Sequence, residues 1–185
     1  MTQTNPTKGR RMDERERFAE LYRTCHPYVL RYLARRLPPD AVEDVCADVF
    51  VRAWHARSQQ RGGDPLPWLY TIARRQVADH LARHDRAQGS LDLLRTVWRD
   101  AMAQSAEDGA IDRIHAYHAL AALSPADREA LMLTTWDGLT PAEAASVTGC
   151  NRVAFLVRLH RARKRLAQLL TSPARRPVRP ERTRT

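Results

Sequence analysis

Apolar positions recur along most of this chain at the three-to-four-residue spacing of an α-helix, and no stretch alternates convincingly with the two-residue period of a strand. Near the start, Phe18, Leu21, Tyr22, Cys25, Val29 and Leu33 form one such stripe, and Pro27 within it predicts a kink or a break. After LPPD, the residues Val42, Val45, Cys46, Val49, Phe50, Ala53 and Trp54 keep the helical period without a miss. The breaker-rich run SQQRGGDPLP then predicts a loop, followed by a helix from about Trp68 to Arg86.

That third helix is the most informative. At about 100° per residue, Leu69, Ala73, Val77 and Leu81 share one side and should face a core. Trp68, Arg75, Asp79 and Arg86 fall opposite, with Thr71 and Arg83 at the margins and Arg74 on another shoulder. An exposed indole beside guanidinium groups suits nucleic acid, because Trp stacks on bases while Arg holds the backbone. The plain alternative is a solvated face with chance charges.

The second half reads differently. Residues 88–112 carry Asp92, Asp100, Glu107, Asp108 and Asp112 against Arg95 and Arg99, an acidic stretch that reads as a linker with a short helix around Leu91–Trp98. Two helix starts follow. SPAD places Ser124 at an N-cap, Pro125 at the first helical position and Asp127 three residues after the cap; TPAE repeats the device with Thr140, Pro141 and Glu143. In TGCN, Gly149 can take a positive φ and Asn151 can cap the next helix. Two helices joined by a short Gly-containing turn predict a helix-turn-helix.

In the final helix, Arg152 to Leu170, the inward positions are Phe155, Leu159, Ala162, Leu166 and Leu169. Arg158, Arg161, Lys164 and Arg165 point outward, and the helix contains no acidic residue. The second helix of a helix-turn-helix enters the major groove and reads base edges with its N-terminal residues; an ordinary amphipathic bundle helix is the alternative. From Ser172 onward the Pro/Arg-rich tail has no apolar face and is expected to be disordered.

Charge narrows the partners. A net charge of +10 on 185 residues favours a polyanion, with nucleic acid ahead of an anionic membrane surface. Of 31 basic residues only Lys8 and Lys164 are lysine, a skew that fits a GC-rich genome or the phosphate geometry of arginine. No run approaches the roughly 18 apolar residues of a membrane span, and the N-terminus lacks the apolar centre of a signal peptide. Cys25, Cys46 and Cys150 lie far apart with no CxxC spacing, which fits reduced thiols and a cytoplasmic location.

Catalytic chemistry finds little support. His80 and His84 have the i, i+4 spacing of two zinc ligands, but the metalloprotease Glu between them and a third ligand are missing. His115 and His118 lie in another unit, and no P-loop, GxSxG or glycine-rich phosphate cradle occurs. No cofactor or metal is expected. The rival from another class is a nucleic-acid enzyme using His80 and His84 with a metal.

Three segments together resemble a known family. VEDVCADVFVRAW is similar to the core-binding segment of bacterial extracytoplasmic-function sigma factors. PWLYTIARRQVADHLARHDR resembles their promoter −10 segment, and LAALSPADREALMLTTWDGLTPAEAASVTGC with RLHRARKRL resembles their −35-reading domain. The matches keep the family's order and cover roughly residues 14–170.

The resemblance implies an RNA polymerase subunit that directs core enzyme to promoters and helps open the duplex. It places Glu43, Asp44, Asp48, Phe50, Arg52 and Trp54 where the family docks on the β′ clamp helices, with Phe50 and Trp54 also serving as core. It places Arg61, Trp68, Thr71, Arg74, Arg75 and Arg83 at the −10 element, and the loop 58–66 where a flipped base is captured. In the helix-turn-helix, Thr140, Arg152, Val153, Val157, Arg158 and Arg161 become the DNA-facing set. The linker would thread the polymerase cleft, or act as a tether.

One departure stands out. The family carries a Gly-Thr-Val-Lys-Ser-Arg-like run early in the recognition helix, and here the run is VAFLVR, with Val153 and Val157 outward and Leu156 in place of the usual Lys. Valine can touch thymine methyls but cannot read donors and acceptors. Reading of the −35 element is therefore relaxed, or methyl-based, or the valines are covered by a partner.

The expected fold is all-α: two small helical domains joined by a flexible linker, the C-terminal one containing the helix-turn-helix. The expected boundaries are a disordered 1–12, a first domain at 13–87, the linker at 88–112, a second domain at 113–171 and a basic disordered tail at 172–185. Expected partners are core RNA polymerase (β′ clamp helices and β subunit), promoter DNA both double-stranded and melted, and an anti-sigma factor, with no membrane. The alternative is a stand-alone helix-turn-helix regulator that never docks on polymerase.

Overall fold

The computed structural model describes residues 13–60, 62–84, 116 and 118–171, with the backbone alone at His84. Its helices are α1 (Glu14–Ala34), α2 (Pro39–His55), α3 (Leu66–His84), α4 (Pro125–Thr135), α5 (Pro141–Thr148) and α6 (Arg152–Thr171), with a 3-10 turn at Arg57–Gln59. No strand occurs among the described residues. The expected linker 88–112, its short helix and both chain ends lie outside them.

Helix α1 starts at a capping box: the Asp13 backbone N–H donates to Glu16 Oε2 at 3.1 Å, and the Asp13 carboxylate accepts from the Glu14 N–H. The kink or break expected at Pro27 does not terminate it, since α1 is one helix across that residue. Proline costs an interior helix about 3 kcal/mol or more. Here Cys25, Val29, Tyr32 and Leu33 are buried on one stripe spanning both sides of Pro27, which itself lies on the solvent face. Burial of that stripe outweighs the lost hydrogen bond.

Pro39 opens α2, whose buried residues are those of its periodicity: Val42, Val45, Cys46, Val49, Phe50 and Ala53. They pack with α1 and α3 into a three-helix unit. Burial pushes the Cys46 thiol up to about 11, and all three cysteines are free.

The second unit follows its caps. Ser124 Oγ accepts from the Asp127 N–H at 3.2 Å. Thr140 and Glu143 form a reciprocal box, with Glu143 Oε2 accepting from the Thr140 N–H at 2.8 Å. Gly149 closes α5 at φ 71°, a conformation that an L side chain adopts only with strain. Asn151 Oδ1 then accepts from the Ala154 N–H at 2.8 Å and starts α6. Buried Arg128 donates to the carbonyls of Leu120, Ala121 and Leu123 at 2.8–3.0 Å, tying the helical residues 118–121 to α4.

The two units meet. Helix α3 packs on α5, and the buried apolar residues of both units form one cluster. An ionic seam closes the junction. Arg36, only 7% exposed, donates from Nε to Glu129 Oε2 at 3.0 Å and from Nη2 to Asp137 Oδ2 at 2.9 Å. Its third bond goes to the Tyr32 carbonyl at 2.8 Å. Arg35 Nη1 reaches the other Asp137 oxygen at 2.9 Å, and the Tyr32 hydroxyl donates to Glu129 at 3.1 Å. Tyr32 stacks on Tyr70 of α3 at 4.8 Å between centroids.

Candidate nucleic-acid interface

Four of the six residues expected to dock on polymerase share the outer face of α2: Glu43, Asp44, Asp48 and Arg52 are exposed, with Val51 and His55 beside them. Phe50 does not join them. It is 4% exposed and turns its ring inward against Tyr22, 4.7 Å away, so of its two roles the structure keeps the core one. Trp54 is half-buried, edge-on to Phe18 at 5.0 Å, with the Arg57 guanidinium 4.2 Å above its ring. Arg57 also donates to the Trp54 carbonyl at 2.8 Å and pairs with Glu14, pinning the 3-10 turn beneath α1.

On α3 the basic edge is exposed as expected at Arg74, Arg75 and Arg83. Arg83 Nε donates to the Asp79 carbonyl at 3.1 Å. Trp68 departs from expectation: it is half-buried and packs on the core rather than standing out beside Arg75. Periodicity sets a residue's angle around a helix but not what overlaps the helix end. At the first turn of α3, residues of α1 and of the 3-10 turn come close enough to share a cleft with Trp68. A cleft of about 280 Å³ opens there, lined by Phe18, Leu21, Arg57, Ser58, Gln60 and Trp68 among others. Thr71 is half-buried and donates to the Pro67 carbonyl at 2.9 Å. Arg61 lies outside the described residues.

Helix α3 also buries more than one stripe. Gln76 and His80 are 5% and 8% exposed, so His80 lies in the interior rather than on the solvent face of the helix. Among the described residues no group of three His, Cys, Asp or Glu side chains is placed to hold a metal ion, and the His84 side chain lies outside them.

In the helix-turn-helix, Phe155, Leu159 and Ala162 are buried and hold α6 to α4 and α5. Arg152 and Arg161 are exposed and Arg158 is half-buried. Val153 and Val157 face solvent at 72% and 50% exposure, joined by Leu156 at 41%. The Thr140 hydroxyl is committed to its cap, 2.7 Å from Glu143 Oε2.

Residues that sequence reasoning missed lie mostly at the seam. Nothing local in the sequence marks Arg35, Arg36, Glu129 and Asp137 as a buried network. Burial holds the Asp137 carboxyl above its ordinary value, against the opposing pull of Arg36 and Arg35. Burial likewise pushes the Tyr70 phenol up to about 12.

A helix-turn-helix with an arginine-rich second helix, joined to a helical unit bearing an exposed arginine edge, defines a DNA-binding protein of two helical domains. Residues 21–87 match the family Sigma-70 region 2, and residues 116–166 match Sigma-70, region 4. The chain is 31% identical over 168 residues to the ECF RNA polymerase sigma factor BldN of Streptomyces coelicolor, covering 88% of this chain and 63% of BldN. It is 30% identical over 155 residues to RNA polymerase sigma factor CarQ of Myxococcus xanthus, covering 83% of this chain and 88% of CarQ.

Among solved structures, the fold is similar to sigma factor RpoE in complex with the anti-sigma factor NepR from Bartonella quintana. That likeness has a TM-score of 0.64 at 24% identity and covers 85% of this chain and 98% of that one. CnrH in complex with the cytosolic domain of CnrY matches at TM-score 0.60 and 25% identity, over 88% and 92% of the two chains. The chain belongs to the extracytoplasmic-function RNA polymerase sigma factors of the sigma-70 family, which serve promoter recognition and transcription initiation.

Proposed function

We infer that this chain binds core RNA polymerase and, through the residues named above, directs promoter recognition, duplex opening and initiation. The observation that carries the residue-level reading is the aromatic cleft at the start of α3, the helix that also bears exposed arginines. Phe18 and Trp68 give it aromatic walls and Arg57 lines it; Arg74 and Arg75 are exposed further along α3, Arg75 two turns on from Trp68. Pulling a base from the duplex costs a few kcal/mol; stacking of a base on an aromatic ring returns about 1–3 kcal/mol. Trp68 acts as a cleft wall rather than a free wedge, and Arg74 and Arg75 hold phosphates. Glu43, Asp44, Asp48 and Arg52 form the polymerase-docking face, and α6 takes the −35 element.

The domains are assigned to 13–87 and 113–171, joined by the acidic linker. Elements named −10 and −35 stand about 25 base pairs apart, about 85 Å at 3.4 Å per step. Helices α3 and α6 are separated by the single packed layer of α5, about 20 Å at 8–10 Å per layer. The seam between the domains must therefore open before both elements are held.

The protein carries no catalytic activity of its own, works in the cytoplasm and is held by an anti-sigma protein. No helix among the described residues is long and apolar enough to cross a membrane. The test is co-elution of the purified chain with core polymerase, followed by initiation from a library of promoters. Specific initiation supports the assignment; a folded, inhibitor-free chain that never binds core leaves the stand-alone regulator in its place.

A further inference from the structure

The exposed face of the first two turns of α6 is apolar where a base-reading helix is ordinarily polar. Val153, Leu156 and Val157 are 72%, 41% and 50% exposed, and Ala154 beside them is exposed too. The polar residue at the helix start is already engaged, because Asn151 Oδ1 accepts the Ala154 N–H. The face stays open while α5 is packed on α3, and it is not part of the seam. Arginines surround it at 152, 158 and 161, and no acidic side chain occurs anywhere on α6.

We propose that α6 reads the −35 duplex by thymine methyl groups, with Val153 and Val157 as the residues that determine specificity. This rests on the promoter-binding function inferred above. The surrounding arginines complement a phosphate backbone, which selects DNA over an apolar protein helix as the occupant. Across the major-groove edges of the four bases, the C5-methyl of thymine is the one apolar feature. A helix in the major groove follows the groove rather than the duplex axis, so residues three to four apart on it reach successive bases. The methyls read by the two valines therefore lie on adjacent base pairs, with Leu156 beside them. Arg152 and Arg161 supply phosphate contacts that set register without sequence preference.

The test uses the full chain assembled with core polymerase. A promoter library with a randomised −35 region is selected for binding, and the selected duplex is remade with uracil in place of each thymine, removing one methyl at a time. The expected selection returns thymines at adjacent base pairs. Each uracil at those positions should weaken binding about fourfold, the equivalent of one buried methyl group, while uracil outside the element has no effect. The variant Val153→Ala/Val157→Ala should fold unchanged, since both side chains are exposed, and should bind thymine and uracil duplexes alike.

A selected −35 element indifferent to uracil would overturn the methyl reading while leaving promoter recognition standing. So would a valine double variant that still prefers thymine. Loss of binding to a protein inhibitor with intact thymine preference would assign the face to that protein instead. Failure to bind core or to select any promoter would overturn the underlying function.

Discussion

Replacing Arg36 by methionine tests the seam between the domains most directly. The side chain is 7% exposed, and its guanidinium serves Glu129, Asp137 and the Tyr32 carbonyl. The substitution keeps much of the volume but leaves Asp137, 1% exposed at the side chain, and Glu129, 18% exposed, without their main cation. Removing one partner of a buried pair costs about 3–5 kcal/mol. Arg35 still reaches Asp137 Oδ1 at 2.9 Å, so the lower end, about 3 kcal/mol, applies.

That is a shift of about 150-fold toward the separated domains. Fluorophores at exposed Ala47 and Ala167 should show lower energy transfer in Arg36→Met than in the wild type. Each domain should keep its helical circular dichroism. Adding Asp137→Asn to Arg36→Met should recover part of the loss, because the buried charge left unpaired is then removed. Equal transfer efficiency and an equal urea midpoint in wild type and Arg36→Met would refute the reasoning.

Other outcomes follow from single contacts. Arg75→Glu should impair promoter opening, read by permanganate reactivity, far more than core binding; equal loss of both would remove Arg75 from the −10 contact. Gly149→Ala should lower stability by about 1–2 kcal/mol through backbone strain alone, since a Cβ there meets no atom within 4 Å, and thermal melting measures it. Thr140→Ala, which loses the capping box, should cost about 0.5–2 kcal/mol in urea unfolding.

Burial raises Asp137 above its ordinary 3.8, so the folded state holds its proton more tightly than the unfolded chain. The contribution of this group to stability is full below pH 3.8 and is lost as pH rises through its folded value. Asp137→Asn should abolish that slope in acid-range unfolding; a slope unchanged by the substitution would refute it.

Much of the architecture was legible because it is local. The stripe of α2 and the caps at Ser124, Thr140 and Asn151 each depend on residues within a turn or two, as does the positive φ of Gly149, and the structure reproduces them. The outward valines of α6 followed from the same periodicity. No break occurs at Pro27, because a local helix penalty is overridden by burial on both sides of it. Trp68 was misread because its angle around α3 says nothing of the distant residues that pack at the helix end and leave it half-buried against the core.

By itself, then, the chain determined helices, caps, the helix-turn-helix and the order of its acidic and basic faces, all encoded at separations of a few residues. Tertiary structure alone decided which charges are structural. Arg36 and Asp137 lie 101 positions apart, and only their burial in the folded protein, at 7% and 1% side-chain exposure, excludes the water that would otherwise make their pairing nearly worthless.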